Sequence, residues 1–339
     1  MTTTVVLPQP YLLLLGDETE PGYAKTAFGL RDWAPEKCIG EYVTSDDAVA
    51  TGLSRISLAE ATERGARSLV IGVANRGGLI SAAWIPTLLE AITVGLDLVN
   101  GLHARLGDIP ELVEAAEHHG RRLIDIRTPP AHIPVATGAK RTGKRLLTVG
   151  TDCHLGKKYT AMALTAAFVA RGKNTDFRAT GQTGIMIAGG GMPMDAVVSD
   201  FEAGAAEILS PAAAEDHWDV IEGQGSLFHP GYAPVSLGLL HGSQPDVLVV
   251  CHEPGRTRML GTAGFPVATV EDALDLNLRH ASLTNKAVRC AGVSFNTSRL
   301  SAEDAVALME RESVRLGLPV ADPMRGGGQF DRLVDACLA

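Results

Sequence analysis

No run in this 339-residue chain reaches the roughly 18 apolar residues that a membrane-spanning helix needs, so no membrane partner is expected. The amino terminus lacks the early basic region of a signal peptide, and Pro8, Pro10, Asp17 and Glu18 interrupt its apolar stretch. An excess of basic residues is also missing: 30 Lys and Arg stand against 39 Asp and Glu, a net charge of −9. A nucleic-acid partner would want a basic face, so none is expected. A small anionic ligand is still allowed, because local basic groups bind one inside an acidic protein. Among the five cysteines (Cys38, Cys153, Cys251, Cys290 and Cys337) no pair has metal-ligand spacing, and an odd, scattered set is not a disulfide framework. Reduced thiols in a cytoplasmic protein are the expectation. Internal repeats and low-complexity segments are absent as well.

What is there is an ordinary globular balance, 45% hydrophobic and 20% charged. The length favours two domains and permits a substantial core without disulfides or metals. Strand and helix signals alternate in both halves. In the first half "YLLLLG" (11–16), "SLVIGVA" (68–74), "LDLVNG" (96–101) and "RLIDIR" (122–127) read as buried strands. Helical stretches lie between them at 57–66, 83–95 and 108–120, the last with Asp108 as an N-cap and Pro110 in its first turn. The segment 128–144, rich in Pro, Gly and Thr, reads as a linker. In the second half, strands are expected at 145–150, 175–180, 218–223, 246–253 and 287–296, and helices at 156–172, 271–281 and 301–316. Such alternation predicts α/β architecture: two doubly wound domains, over 1–130 and 145–339 with a linker at 131–144, each with a mainly parallel sheet.

The stretch "LLTVGTDCHLGKKYT" (146–160) carries the sharpest chemical signal. In a phosphate loop, glycines let backbone N–H groups converge on phosphate oxygens, the following helix presents its positive end, and a lysine adds a full charge. Gly150, Gly156 and Lys157 stand between a strand and a helix as that mechanism requires. Five residues separate the glycines, the longer spacing of the dethiobiotin synthetase type of loop, which begins Gly-Thr-Asp-Thr where this chain has "GTDC". A chance strand–glycine–helix turn is the competing explanation. What the loop lacks is the hydroxyl that normally follows the lysine and holds magnesium on the β and γ phosphates; Lys158 stands there instead. Thr160 is no substitute, since two residues along a helix is a rotation of about 200°. Two adjacent lysines favour a polyphosphate gripped directly by cations, with no metal expected. A coenzyme A molecule fits that description, and ATP fits it less naturally.

Ligands of open α/β sheets lie outside the carboxyl ends of the strands, which places Arg178, Thr180, Gln182 and Thr183 near the loop. The surrounding stretch 177–207 reads as too polar and glycine-rich to be core. Asp195 and Asp200 precede or open a helix, where capping is their competing role, with Ser199 the alternative cap. Glu222 ends a strand, positioned to pair with a lysine or act as a base. His229 titrates near neutrality and is another candidate base, with a merely exposed loop histidine as the alternative. Arg256 and Arg258 could clamp a dicarboxylate or be solvated surface charges. His252 and Glu253 accompany them. Asn296 follows the last long strand, placed for an adenine contact or for capping. Lys25, Asn75, Arg76, His103 and Arg105 are polar residues at strand ends of the first half, candidates to line a cleft.

Together "GTDCHLGKKYTA", "VVSDFEAGAAE", "VIEGQGSLFHPGY", "AKTAFGLRDW", "GLDLVNGLHARLGD" and "DIRTPP" resemble the two-domain family labelled domain of unknown function 1611 (DUF1611), over nearly the whole chain. The resemblance implies a Rossmann-like N-terminal domain and a P-loop NTPase-like C-terminal domain. "GKKYT" looks like the DgcN-type subgroup of D-glutamate N-acetyltransferases, which implies transfer of acetyl from acetyl-CoA to the amino group of D-glutamate. On that expectation Gly150, Thr151, Asp152, Cys153, His154, Gly156, Lys157, Lys158, Tyr159 and Thr160 hold CoA phosphates, with Asn296 nearby. Arg178, Gln182, Thr183, Arg256 and Arg258 hold the substrate, and Asp195, Asp200, Glu222 or His229 takes the amine's proton. A homo-oligomer is also expected. An ATP- and magnesium-dependent ligase or kinase of the dethiobiotin synthetase type is the rival, and a binding protein without turnover is a third possibility.

Overall fold

The computed structural model describes residues 3, 4, 6–75, 77–262 and 264–339. In the first half the elements are β1 (Thr3–Thr4), β2 (Tyr11–Gly16), α1 (Lys25–Trp33), β3 (Cys38–Val43), α2 (Leu58–Glu63), β4 (Ser68–Ile71), α3 (Ile85–Thr93), β5 (Asp97–Asn100), α4 (Pro110–His119) and β6 (Leu123–Asp125). In the second they are β7 (Lys144–Gly150), α5 (Lys157–Ala170), β8 (Thr175–Arg178), α6 (Gln182–Ala188), β9 (Gly190–Gly191), α7 (Glu202–Leu209), β10 (Trp218–Ile221), α8 (Ala233–Ser243), β11 (Val247–His252), α9 (Val270–Ala281), β12 (Arg289–Phe295), α10 (Ala302–Leu316), β13 (Val320–Ala321) and α11 (Gly327–Leu338). The described chain forms two compact units. One holds residues 3–129 together with 182–196, the other residues 130–181 together with 197–339.

The amino-terminal unit is built on a five-stranded parallel sheet in the order β3-β2-β4-β5-β6. Its central strands are continuous apolar runs because helices cover both faces of a parallel sheet. Leu12, Leu14, Leu69, Ile71 and Leu98 are fully buried and pack with Leu88 and Ile92 of α3. Trp84 closes this core with its ring, and its Nε1 donates to Asp17 at 2.8 Å. The short pair β1–β9 is antiparallel, and β9 comes from the segment that follows α6.

The carboxy-terminal unit has six parallel strands in the order β13-β12-β11-β7-β10-β8. Phe168 of α5 meets Trp218 of β10 edge to face, with ring centroids 5.2 Å apart. Helix starts follow capping chemistry: Thr269 accepts from the Asp272 amide at 3.0 Å and Ser301 from the Asp304 amide at 3.1 Å. Toward the amino ends of the strands a buried polar knot is fully occupied. Arg145 donates to Ser210 Oγ at 2.7 Å, and Asp219 accepts from Arg178 at 2.6 Å and from Ser210.

Several sequence expectations need correction. Helix α1 and strand β3 were not read from the sequence. Asp108 does not cap α4: it lies in a short 3-10 turn and the cap position is Ile109. Neither Ser199 nor Asp200 caps α7, whose cap position is Phe201, with no side-chain bond. The stretch 177–207 is not peripheral, since Ile185, Met186, Met192 and Met194 are all buried. Its glycines let helices and strands approach, and its methionines fill the space.

Candidate functional site

In the carboxy-terminal unit the strand order reverses at β7, which pairs with β10 on one side and β11 on the other. This is the position in an open α/β sheet where a ligand crevice forms beyond the carboxyl ends of the strands. The loop 150–156 leaves β7 at that end and enters the fourteen-residue helix α5. Gly156 is in the left-handed region, φ 103°, so it turns the chain into the helix without the strain a side chain would add. No side chain caps α5 at Gly156, and the helix directs the partial positive charge of its amino end toward the loop.

Lys157 is buried and reaches back across the loop, its Nζ donating to the Asp152 carbonyl at 2.8 Å. The Lys158 Nζ lies 5.3 Å from the Tyr159 ring centroid. Thr151 Oγ1 is 2.9 Å from His252 Nδ1, tying the loop to the end of β11. Asp152 is fully buried; its Oδ2 accepts from Arg256 at 3.1 Å and from the Leu260 amide at 2.9 Å. Arg256 also donates to the Cys153 carbonyl at 2.9 Å and pairs with Glu253, so it fastens the loop from below. Thr160 Oγ1 faces Ser294 Oγ at 2.7 Å, on the sheet side of α5.

Glu222 stands at the end of β10. Its Oε2 accepts from the Thr180 amide at 2.9 Å and the Gly181 amide at 3.1 Å. Burial pushes its carboxyl pKa up, against the opposing effects of Lys158, those two amides and Lys157. Gly223 follows, and a Cβ there would sit 1.7 Å from the Thr148 carbonyl oxygen, so only glycine fits. Thr148, a residue the sequence reading passed over, accepts from the Gly223 amide at 2.9 Å, and its hydroxyl lies 3.3 Å from the Lys157 carbonyl. A lone threonine inside an apolar strand gives no signal in sequence.

The remaining predicted residues fall in different places. His229 is buried, not exposed; Nδ1 accepts from the Gly231 amide at 3.1 Å, Nε2 lies 3.2 Å from the Leu260 carbonyl, and the ring stacks on Tyr232. Asn296 Oδ1 accepts from the Ser298 amide, two residues on, at 3.2 Å. Arg178 turns back along the sheet to Asp219 and to Asp176, away from the loop end of β10. Arg258 is exposed and forms an isolated bridge with Pro266. Asp200 is exposed in a 3-10 turn.

Gln182, Thr183 and Asp195 belong to the amino-terminal unit. There Arg127, which the sequence reading did not single out, donates to Gln182 Oε1 at 2.9 Å and forms an ion pair with Asp195. Thr183 Oγ1 is 3.1 Å from Thr26 Oγ1. Asn75 is occupied with Leu79, and Arg105 reaches Thr128 Oγ1 at 3.4 Å. Arg76 lies outside the described residues. An arginine closing the apolar run "RLIDIR", two residues past β6, was the available signal for Arg127.

Among the described residues two triads have ligand atoms within 4.8 Å of one another and are spaced to hold a metal ion: Asp152, Cys153 and His229, and Asp176, His217 and Asp219. In the second, both carboxylates already pair with Arg178.

A parallel sheet with a glycine–lysine loop leading into an uncapped helix at the switch point defines a P-loop fold, here joined to a Rossmann-like unit. Residues 134–334 match the family model described as a domain of unknown function (DUF1611_C), P-loop domain, and residues 36–129 match the corresponding Rossmann-like domain (DUF1611_N). The chain belongs to the DUF1611 family. It is 49% identical over 334 residues to a D-glutamate N-acetyltransferase from Tritonibacter scottomollicae, covering 98% of this chain and 100% of that one. It is 48% identical to a D-glutamate N-acetyltransferase from a Pseudoalteromonas species, covering 94% of this chain and 96% of that one. The crystal structure of a DUF1611 family protein from Anabaena variabilis superposes with a TM-score of 0.88 at 33% identity, covering 98% and 99% of the two chains. No helix among the described residues is long and apolar enough to cross a membrane.

Proposed function

We propose that this protein is a D-glutamate N-acetyltransferase that uses acetyl-CoA as donor. The observation that carries the reading is the 49% identity to a D-glutamate N-acetyltransferase across the whole of that relative. Such a reaction needs a donor site for a polyphosphate-bearing thioester and an acceptor site for an amino dicarboxylate. In the proposal the backbone of 150–160 with Lys157 and Lys158 holds the CoA phosphates. The amino end of α5, which no side chain caps, and the two consecutive lysines support this, since together they set positive potential beside an anion. Lys158 replaces the hydroxyl that would otherwise hold magnesium, which suits a co-substrate that needs no metal to be gripped.

The acceptor amine must be neutral before it attacks the thioester carbonyl. Asp195, Asp200, Glu222 and His229 were the candidates to take its proton. Both ring nitrogens of His229 already have partners, Asp200 is exposed, and Glu222 Oε2 is held by two amides. Asp195 retains a buried Oδ1 with no hydrogen-bond partner among the described residues, which favours it as the group that meets the amine. Action in the cytoplasm and self-association belong to the same proposal. The five free cysteines support the first. The exposed Leu260 and Phe265 support the second, and sedimentation tests it.

The test of function is thiol release from acetyl-CoA with D-glutamate, with L-glutamate and D-aspartate as controls, in EDTA. Release with D-glutamate alone is expected. No release in EDTA, with ADP formed once ATP and magnesium are added, would return the loop to a nucleotide role.

A further inference from the structure

The end of the carboxy-terminal sheet that carries the phosphate loop is electrically lopsided. On the β10 side the loop is flanked by the buried Glu222. Arg178 of the neighbouring β8 is turned back along the sheet to Asp219 and Asp176. On the other side the ends of β11 and β12 are joined by the Asn296 amide, which donates to the His252 carbonyl at 2.8 Å. Arg256 and Arg258 follow β11, and Arg299 follows β12. Charge alternates along this side in a chain that starts in the loop itself. Asp152 accepts from Arg256 at 3.1 Å, Arg256 pairs with Glu253, and Glu253 Oε1 lies 3.3 Å from Arg299 Nε.

The last pair in this chain joins unlike surroundings. The Glu253 side chain is 6% exposed and that of Arg299 is 82% exposed. A carboxylate this deep needs a cation, and Arg256 already divides its donors between Asp152 and the Cys153 carbonyl as well. Arg299 supplies the second charge through Nε, at one edge of its fork. A guanidinium carries five N–H donors in a fixed plane, so the edge formed by Nη1 and Nη2 stays available. Among the described residues nothing accepts from it. That edge is the one that takes a phosphate through two parallel hydrogen bonds. Arg258 is exposed too, and has no ion-pair partner among the described residues. A ligand would have to order its side chain at a cost in entropy, whereas Glu253 already holds Arg299.

Coenzyme A carries phosphate at two places on one ribose, a diphosphate on the 5′ oxygen and a monophosphate on the 3′ oxygen. With the diphosphate on the loop, the 3′-phosphate stands one ribose away. Arg299 stands two ion pairs away from the loop, on the side whose cations attract a dianion. We propose that Arg299, held by Glu253, binds the 3′-phosphate of coenzyme A, so that the protein distinguishes coenzyme A from its 3′-dephospho form. Glu253 is a positioning residue in this scheme. The inference rests on the proposed use of acetyl-CoA as donor and adds a second phosphate subsite to it.

The experiment is calorimetric titration of the full chain with CoA and with 3′-dephospho-CoA, for wild type, Arg299→Ala, Arg299→Lys and Arg258→Ala. Steady-state kinetics with the two acetylated donors and D-glutamate accompany it. Wild type is expected to bind CoA about tenfold or more tighter than dephospho-CoA. Arg299→Ala should abolish that preference by weakening CoA alone. Arg299→Lys should restore part of it, as a point charge without the fork. Arg258→Ala should keep the wild-type preference. An Arg299 that serves only to neutralise Glu253 would weaken both ligands alike and leave the preference intact, and that result overturns the proposal. Equal affinity of wild type for the two ligands overturns it, as does a preference lost in Arg258→Ala instead. Wild type that prefers CoA through Arg299 but never acetylates D-glutamate would retain the subsite and remove the activity. Acetylation of D-glutamate with no preference between the two donors would remove the subsite and leave the activity standing. Absence of CoA binding in wild type overturns the subsite.

Discussion

The ammonium of Lys157 and the carbonyl of Asp152, five residues apart in the chain, are joined at 2.8 Å across the phosphate loop. The lysine thus closes the loop on itself and holds a full positive charge beside the backbone that is to receive phosphate. Lys157→Ala removes both effects. Losing a charge-assisted contact of about 1.5–3 kcal/mol corresponds to a rise of about 10- to 100-fold in the KM for acetyl-CoA. Steady-state kinetics with the fold verified by circular dichroism checks this, and full activity in the variant would sink the loop assignment.

Lys158 stands where a hydroxyl would hold magnesium, and its charge acts on Glu222. Lys158→Thr restores the hydroxyl and deletes the charge. Acetyl-CoA affinity is expected to drop about tenfold. Adding magnesium should not restore turnover. Fluorescence or calorimetric titration with CoA reads the effect, and unchanged affinity would assign Lys158 to the surface alone.

Gly223→Ala is expected to destabilise the protein by about 1–3 kcal/mol, because the new methyl group meets the Thr148 carbonyl at 1.7 Å and backbone has to move. The same shift pulls on Thr148, whose hydroxyl meets both Gly223 and Lys157. Urea unfolding gives the stability change. A variant as stable as wild type would mean that β7 and β10 can separate at no cost.

The loop's link to β11 makes stability depend on pH. Burial first, then the charge of Arg256, lowers the His252 pKa from its ordinary 6.5, with Glu253 opposing. The folded state therefore prefers the neutral ring, while the unfolded chain takes up a proton near 6.5. The stabilisation is fully present above that pH and is lost as pH falls from there through the lower folded value. Urea midpoints measured across this window should decline on acidification, and His252→Gln should flatten the decline. Parallel curves for the two proteins would exclude His252 as the source.

The parts of the fold that were legible in sequence are those whose signals are local. "RLLTVG" is a buried run, Gly150 and Gly156 mark the turn, and the lysines open a helix that ends near Gly172. Strand β3 was not legible because "CIGEYV" buries a glutamate. Glu41 is held by the Thr51 amide at 2.8 Å and by Arg55 at 3.3 Å, and neither partner is visible in a hydrophobic pattern. Helix α1 begins with a lysine and carries Gly29 at its centre, both against helix-start and propensity rules. Within the site, the loop residues were legible from spacing. Arg127 with Asp195, and Thr26 with Thr183, were not, because their contacts span 68 and 157 residues of chain.

Residues 182–196 are encoded after the phosphate loop yet fold with the unit encoded before it. Recombination between relatives is constrained by this. A chimera crossed over once, at the proline-rich segment near residue 130, would furnish its Rossmann-like unit with a foreign helix α6, set against a native Thr26, Gly101 and Arg127. Hybrids that exchange the halves should work only when the cassette 182–196 travels with the amino-terminal half, so that the smallest transferable module here is discontinuous in the gene.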